Sequence, residues 1–221
     1  MCGLYSFKAS AEEVRRLFGY LEDPDFPPRP YVAPLSPIAV VRNENAARHF
    51  QLVRWGFIPS WMKELKPGKP IINARSETLL EKPSFKNAIR RRRCLIPADG
   101  YYEWVGDVPG KKIPHCIHRP DNGPFAFAGI WEHWMGANGS EIETAAIITS
   151  EPNSVIAKIY DRMPVVIQPE NHAQWLDVQN VDGEEAVQLL RPALEDCFVY
   201  EPTTIERNAP APKPKAQLSL F

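Results

Sequence analysis

Cys2 carries the most distinctive potential chemistry of this 221-residue chain, because it directly follows the initiator methionine. Loss of Met1 leaves Cys2 as the first residue, with an α-amine and a thiol on adjacent carbons. Such a 1,2-aminothiol condenses with an aldehyde: the amine forms an imine, and the thiol then closes a thiazolidine ring. Both groups ordinarily titrate near pH ~8, so neutral amine and thiolate coexist near pH 7. The alternative is that Cys2 is a small buried hydrophobic residue, which by position alone is the more frequent role of a free cysteine.

The composition is that of an ordinary globular protein that can bury a substantial core. Hydrophobic residues make up 44% and charged residues 24% of the chain, and its length fits one large domain better than two. The formal net charge of −1 leaves nucleic-acid binding open, because a local basic face decides it. The sequence contains no apolar run that would span a bilayer and no signal-peptide profile, so we expect a cytoplasmic protein without a membrane partner.

The four cysteines follow neither a metal-binding nor a disulfide pattern. Cys2, Cys94, Cys116 and Cys197 form no CxxC pair and have no metal-like spacing with the five histidines. We therefore expect reduced thiols, no zinc and no other metal or organic cofactor.

Short strands at close spacing dominate the predicted elements, and helices separate some of them. The predicted strands cover residues 37–41, 50–55, 94–97, 101–105, 113–118, 125–134 and 144–149. The predicted helices cover residues 11–21, 84–92, 170–176 and 183–190. Ser10 and Glu13 form a capping box before the first helix, and Asp182 caps the last. Residues 23–37 are too rich in proline for a regular element, and residues 43–45 are expected to form a hairpin turn. This pattern predicts a single α+β domain with a curved, barrel-like mixed β-sheet core flanked by short helices.

The composition changes at Asn208, where the sequence APAPKPKA follows. Such a segment is typical of a semi-rigid extended linker. We therefore expect a folded, monomeric domain over residues 1–205 and a tail over residues 206–221.

Several sequence motifs occur in a fixed order between Cys2 and about Ile167. After MCG at the amino terminus come WGFIPSW (55–61), INARSET (72–78), CLIPADGYYEW (94–104), PFAFAGIWE (124–132) and DRMPV (161–165). Together these segments resemble the motif set of the SOS response-associated peptidase family. The resemblance implies a protein that forms a covalent crosslink with the ring-opened aldehyde of an abasic site in single-stranded DNA. It also implies autoproteolytic removal of Met1 and lyase-like Schiff-base chemistry.

The same resemblance implies roles for three residues. Cys2 would be the nucleophile, and Asn73 would hold the sugar or the amino-terminal amine by hydrogen bonds. Glu103 would act as general acid and base during sugar-ring opening and at the imine. The alternative for Glu103 is a solvated strand carboxylate, but a partly buried carboxylate between Tyr102 and Trp104 is expected to have a raised pKa.

Contacts with DNA are expected from arginines, tryptophans and a proline in or near these motifs. Arg75 and Arg162 suit backbone phosphates. Trp61 and Trp104 suit stacking on bases, and Pro34 suits packing against a base beside the lesion. These residues predict a binder of single strands or junctions without base-sequence specificity.

A basic run over residues 90–93 is a further candidate for phosphate contact. Five lysines lie near it in sequence: Lys63, Lys66, Lys69, Lys82 and Lys86. The alternative is that the run forms a solvated helix face.

The main departure from the family pattern is Tyr160, which stands where the family carries a histidine. A tyrosine donates a hydrogen bond but is a poor base at pH 7. We expect crosslinking to survive because Cys2 and Glu103 are both present. Two alternatives remain open: a non-covalent sensor of damaged single-stranded DNA, and an N-terminal-nucleophile peptidase. Tyr31 also replaces the family asparagine before Val-Ala-Pro, and the chain after residue 190 lacks the family's closing motif.

The last five residues, QLSLF, resemble the pentapeptide by which bacterial replication and repair proteins bind the sliding clamp. Gln217 would bond at the rim of the clamp cleft, while Leu218, Leu220 and Phe221 would fill it. The alternatives are a strand that packs on the domain, or a chance match. Clamp binding would place the protein at bacterial replication forks.

Overall fold

The computed structural model describes residues 2–22, 24, 26–64, 68–106 and 112–205. The described strands are β1 Tyr5–Phe7, β2 Arg29–Val32, β3 Pro37–Glu44, β4 Ala47–Trp55, β5 Asn73–Arg75, β6 Arg93–Ala98, β7 Gly100–Val105, β8 Ile113–His118, β9 Phe125–Met135, β10 Glu141–Ser150, β11 Met163–Pro164, β12 Val166–Ile167 and β13 Val199–Pro202. The α-helices are α1 Ala11–Phe18, α2 Lys86–Arg91, α3 His172–Leu176 and α4 Gly183–Ala186. Short 3₁₀ helices cover Ser76–Thr78, Ile156–Lys158, Pro169–Asn171, Val187–Leu189 and Glu195–Cys197.

Five strands close into a barrel. β4 pairs with β3, β3 with β6, β6 with β9 and β9 with β10, all antiparallel. The ring is closed by a parallel pairing of β10 with β4, in which Thr144 lies opposite Arg54 and Ala145 opposite Trp55. Closure of the sheet removes its edges and buries the inward-facing side chains of every strand. The predicted barrel-like mixed core of an α+β domain is confirmed.

A second sheet, in the order β13, β8, β7, β1 and β2, packs on the barrel. The ring of Tyr5 in β1 meets Trp55 edge-on at 5.3 Å and Phe127 at 5.8 Å between ring centres. All three side chains are fully or almost fully buried. These aromatic contacts fix the amino-terminal strand against barrel strands β4 and β9.

The caps of two helices agree with the sequence. The Ser10 side chain accepts a hydrogen bond from the Glu13 N–H, and the Glu13 carboxylate accepts one from the Ser10 N–H, as a capping box requires. Asp182 caps α4. The first helix nevertheless ends at Phe18 rather than residue 21, because Gly19 adopts a left-handed conformation with φ of 65°.

Two local predictions are wrong. Residues 23–37 contain a strand, β2, because it pairs with β1 through Tyr5 and Val32; that partner is distant in sequence. The hairpin turn lies at Asn45 and Ala46, both left-handed, rather than at residues 43–45.

The basic run is divided between the surface and the core: Arg90 and Arg91 lie on the solvated side of α2, whereas the prediction of phosphate contact is wrong for Arg93. This side chain is 1% exposed because it is the first residue of β6 and points into the domain. Its guanidinium donates to four backbone carbonyls, those of Ile89, Trp175, Asp177 and Val181.

Two other arginines of the run, Arg90 and Arg92, form ion pairs with carboxylates. Arg90 pairs with Glu184 at 2.7 Å and Arg92 with Glu132 at 2.8 Å. Arg90 keeps a side chain that is 39% exposed in its ion pair, and Arg91 is exposed.

The described helices include none long and apolar enough to cross a membrane. Met1, Lys66 and residues 206–221, with the proposed linker and clamp-binding peptide, lie outside the described residues.

We predict that Arg93→Met destabilises the domain by about 3 kcal/mol or more, because four carbonyls lose a charged donor in a buried site. Urea unfolding at pH 7 measures the change. Arg91→Met, at the exposed position of the same run, should change the free energy of unfolding by less than about 0.5 kcal/mol. Equal stabilities of the two variants would contradict the anchoring role of Arg93.

Candidate active site

The backbone of β1 and β7 positions Cys2. The Leu4 carbonyl accepts a hydrogen bond from the Tyr102 N–H at 3.0 Å, and the Cys2 Sγ lies 3.9 Å from the same oxygen. Cys2 is 1% exposed. The thiol is therefore held inside the domain, at the junction of the amino terminus with strand β7.

Asn73 also holds the main chain of Cys2. Its Nδ2 donates to the Cys2 carbonyl at 3.0 Å. Asn73 begins β5, which pairs in parallel with β10 through Ile147. The Asn73 Oδ1 is buried and has no hydrogen-bond partner among the described residues, so it remains available to accept from an amine or a hydroxyl.

Glu103 contributes a buried carboxyl group from β7, where its side chain is 4% exposed. Burial raises the pKa of Glu103 to about 7, and the charge of Asp161 acts in the same direction. The positive charges of the chain's amino terminus and of Lys112 oppose this rise. A carboxyl group with this pKa is present in both protonation states near neutrality, which suits proton transfer in either direction.

The thiol of Cys2 and the phenol of Tyr160 are both held protonated. Burial raises the pKa of the Cys2 thiol, and the negative charge of Glu103 raises it further. Burial, Glu103 and Asp161 raise the pKa of Tyr160, which is half-buried. The Cys2 sulfur is thus a neutral thiol, so the thiolate fraction expected from the ordinary cysteine pKa is wrong for this buried position; the Glu103 carboxyl group is able to accept its proton.

Four of the predicted DNA-contact residues are accessible. Arg75 is exposed at the end of β5, two residues after Asn73, and Trp61 is 60% exposed. Trp104 and Pro34 are half-buried, and Trp104 directly follows Glu103. Their contact with DNA stays a prediction.

Arg162 has different surroundings from the other predicted DNA contacts. Its guanidinium forms a bidentate ion pair with Glu77, at 2.8 and 2.9 Å, and donates to the Thr149 carbonyl at 2.7 Å. Hydrogen bonding from Arg162 lowers the pKa of Glu77. The side chain of Arg162 is 9% exposed, so a phosphate would have to share it with Glu77. Glu77 was not among the residues predicted from the sequence, although it lies four residues after Asn73 in the same motif.

Comparisons with known proteins agree with this arrangement. The sequence profile of the family described as SOS response associated peptidase (SRAP) matches residues 1–207. The chain is 37% identical over 209 residues to the abasic site processing protein YoqW of Bacillus subtilis, and the match covers 93% of each chain. It is 32% identical over 195 residues to the abasic site processing protein YedK of Escherichia coli, covering 86% and 85%. A crystal structure from Bacteroides thetaiotaomicron superposes with a TM-score of 0.81 at 27% identity, covering 92% of each chain.

We predict that Glu103→Gln stabilises the domain increasingly as the pH rises from 5 to 8. The pKa of Glu103 is about 7 in the folded chain, against an ordinary 4.5. Below pH 4.5 the carboxyl group is neutral in both states. As the pH rises, the unfolded chain loses the proton first, so the native protein loses stability until the pH passes the folded pKa.

Glutamine has no such charge, and its advantage should reach up to about 3 kcal/mol above pH 7. Thermal unfolding between pH 5 and 8 measures it. Glu81→Gln, at an exposed position, is the matched control and should differ little from the native chain. A Glu103→Gln advantage that is constant with pH would argue against a buried ionised carboxylate.

Proposed function

The chain belongs to the SOS response-associated peptidase family, and from this premise we propose that it processes abasic sites in single-stranded DNA by capturing them covalently through Cys2. The curated relatives YoqW and YedK are abasic site processing proteins. The observation that carries the proposal is the placement of Cys2. Its carbonyl accepts a hydrogen bond from Asn73 at 3.0 Å, and the charge of Glu103 raises the pKa of its thiol. An aldehyde is the functional group that an amino-terminal cysteine recognises by reaction, and the ring-opened abasic site provides one.

Capture first requires removal of Met1, which converts Cys2 from an internal residue into an aminothiol. In this step water adds across the Met1–Cys2 peptide bond, releasing free methionine and the α-amine of Cys2. The Asn73 Oδ1, which is buried without a partner among the described residues, is suited to accept a hydrogen bond from that amine.

The covalent step proceeds through two bonds to the same carbon. Glu103 in its protonated form donates its proton to the ring oxygen while its other carboxyl oxygen accepts the proton of the C1 hydroxyl; the bond between C1 and the ring oxygen breaks, and the sugar opens to the aldehyde. The Cys2 amine then adds to that carbon and water leaves, giving an imine. The thiol adds to the imine carbon, its proton passes to the nitrogen through Glu103, and a thiazolidine ring results. Because amine and thiol share one residue, this closure is effectively unimolecular.

Tyr160 acts in this scheme as a donor and not as a base. Its pKa is raised above the ordinary tyrosine value by burial and by Glu103, so it keeps its proton near pH 7. A protonated phenol can donate to the sugar oxygen. If the donor alone proved insufficient, the protein would be the non-covalent sensor of damaged single-stranded DNA.

Single-stranded DNA is proposed to contact the four accessible residues predicted from the sequence. Arg75 is suited to a backbone phosphate, and Trp61, Trp104 and Pro34 are suited to stacking or packing against bases. Arg162 would join them only by sharing its guanidinium with Glu77.

We predict that the native chain forms a denaturation-resistant adduct with single-stranded DNA carrying one abasic site. Cys2→Ala should abolish the adduct, because it removes the sulfur that closes the ring. A denaturing gel of the mixture measures the shifted band. Tyr160→His, run alongside, reports how much a base at this position would add.

Two controls make this assay specific. Cys197→Ala removes a thiol in the 3₁₀ helix Glu195–Cys197 and should leave the adduct unchanged. DNA carrying a tetrahydrofuran analogue has no aldehyde and should give no adduct. A band with the analogue, or an undiminished band with Cys2→Ala, would refute thiazolidine capture. Turnover of added peptides, beyond loss of Met1, would instead favour the peptidase alternative.

We also propose that the C-terminal peptide, residues 217–221, binds the bacterial sliding clamp. The support is the sequence alone: Gln217, Leu218, Leu220 and Phe221 match the clamp-binding pattern, and a Pro/Lys linker precedes them. Such a tether would raise the local concentration of the domain at replicating DNA.

We predict that the full chain binds a purified bacterial sliding clamp and that Leu220→Ala weakens this binding at least about tenfold, because a buried leucine side chain is truncated. Ser219→Ala, within the same peptide but outside the apolar set, should bind like the native chain. Calorimetric titration measures both. Equal affinities of the Leu220→Ala variant and the native chain would refute the clamp assignment while leaving abasic-site capture untouched.

A further inference from the structure

Tyr101 has a hydroxyl group that the fold leaves without a partner. The residue lies in β7, opposite Tyr5 of β1, and is fully buried. Its ring packs edge-on against Phe127 and Phe198, at 6.1 and 6.0 Å between ring centres. The hydroxyl is buried and has no hydrogen-bond partner among the described residues. A phenylalanine would fill this aromatic site without the hydroxyl, so the oxygen requires an explanation other than packing.

The strand places this hydroxyl on the reactive side of β7. Side chains alternate along a strand, so Tyr101 and Glu103 share one face and Tyr102 lies on the other. The Tyr102 hydroxyl instead donates to the Pro30 carbonyl at 3.1 Å, and its N–H holds the Leu4 carbonyl beside the Cys2 Sγ. Tyr101 is thus the residue directly before Tyr102, whose N–H binds the carbonyl that the Cys2 thiol contacts.

Electrostatic effects agree with this placement. Burial raises the pKa of Tyr101 well above its ordinary value, and the charges of Cys2 and Glu103 raise it further. The hydroxyl is therefore within electrostatic reach of both groups and keeps its proton throughout the neutral range. It can donate a hydrogen bond, and it cannot serve as a base.

Deepening the proposed function, on which this inference rests, we propose that the Tyr101 hydroxyl donates a hydrogen bond to the Cys2 sulfur while the thiazolidine ring closes. In that step the sulfur–carbon bond forms, and the imine π pair moves to the nitrogen. The thiol proton passes to the Glu103 carboxylate and from it to the same nitrogen. Tyr101 keeps its own proton.

The reason is that negative charge develops on sulfur as its proton leaves. This charge arises in a buried site that already disfavours the thiolate. A buried donor that has no other partner among the described residues can turn to this sulfur without giving up an existing hydrogen bond, and it stabilises the developing charge. Tyr101 would therefore act on closure and not on imine formation.

The test separates the two steps in the full-length chain with abasic single-stranded DNA. Cyanoborohydride reduces the imine but not the closed ring, and mass spectrometry distinguishes the reduced adduct by its two added hydrogens. With Tyr101→Phe, the imine should form at the native rate, while conversion to the reduction-resistant adduct should slow about tenfold, as expected for one lost hydrogen bond. The pH profile of closure should also move to higher pH, because the thiolate loses its donor.

Tyr102→Phe is the matched control, since it removes a neighbouring hydroxyl that has a backbone partner. It should close the ring at the native rate. Tyr101→Phe should keep the native melting temperature or exceed it, because the hydroxyl lacks a partner among the described residues.

A Tyr101→Phe variant that closes at the native rate with an unmoved pH profile would overturn the inference alone. So would equal losses of imine formation and closure in both variants, which would indicate a structural role. If the native chain forms no adduct, the proposed function fails, and this inference fails with it.

Discussion

The pairing of β1 with β7 is the constraint on which the rest of the structure depends. It brings Cys2 into the interior, where the thiol is buried and within reach of the charge of the Glu103 carboxyl group. The hydrogen bond from the Tyr102 N–H to the Leu4 carbonyl sets the register, and the packing of Tyr5 on Trp55 and Phe127 fixes the strand to the barrel. Any shift of one residue in this pairing would turn Glu103 to the opposite face of the sheet.

Burial determines the protonation states at this site, because it disfavours the charged forms of both Cys2 and Glu103. It raises the pKa of the Cys2 thiol and also that of Glu103, the latter to about 7. The first effect keeps the sulfur neutral, and the second keeps a proton acceptor available near neutrality. A solvated pair would titrate at the ordinary values, leaving an ionised carboxylate that is a weak base. The same desolvation lowers the stability of the fold as the pH rises from 4.5 to about 7, so this buried carboxyl group is present at a cost in folding free energy.

Much of the fold can be predicted from local sequence, and the predictions that are wrong share a physical cause: contacts between residues that are distant in the chain. The capping box at Ser10 and the barrel strands rest on neighbouring residues and on alternation, so they are visible in the sequence. β2 depends on pairing with β1, and Arg93 depends on carbonyls about 80 residues away, such as that of Trp175. At the site, Cys2, Asn73 and Glu103 were predicted by motif. The ion pair of Arg162 with Glu77 joins two motifs in space, and neither motif alone indicates its partner.

In the proposed reaction, Tyr160 restricts how protons can move. A histidine at this position would give the site a second group that both accepts and donates protons near pH 7. Tyr160 and Tyr101 both have raised pKa values and remain protonated, so each can only donate. In the proposed reaction, every proton accepted from the thiol or the sugar therefore passes through Glu103. Ring closure and its reversal use the same carboxyl group, because the reverse step must return the proton to sulfur along the same route. We infer that substitutions at Glu103 alter the rates of capture and release together. Tyr101 and Tyr160 act only as hydrogen-bond donors to the negative charge that develops during these steps.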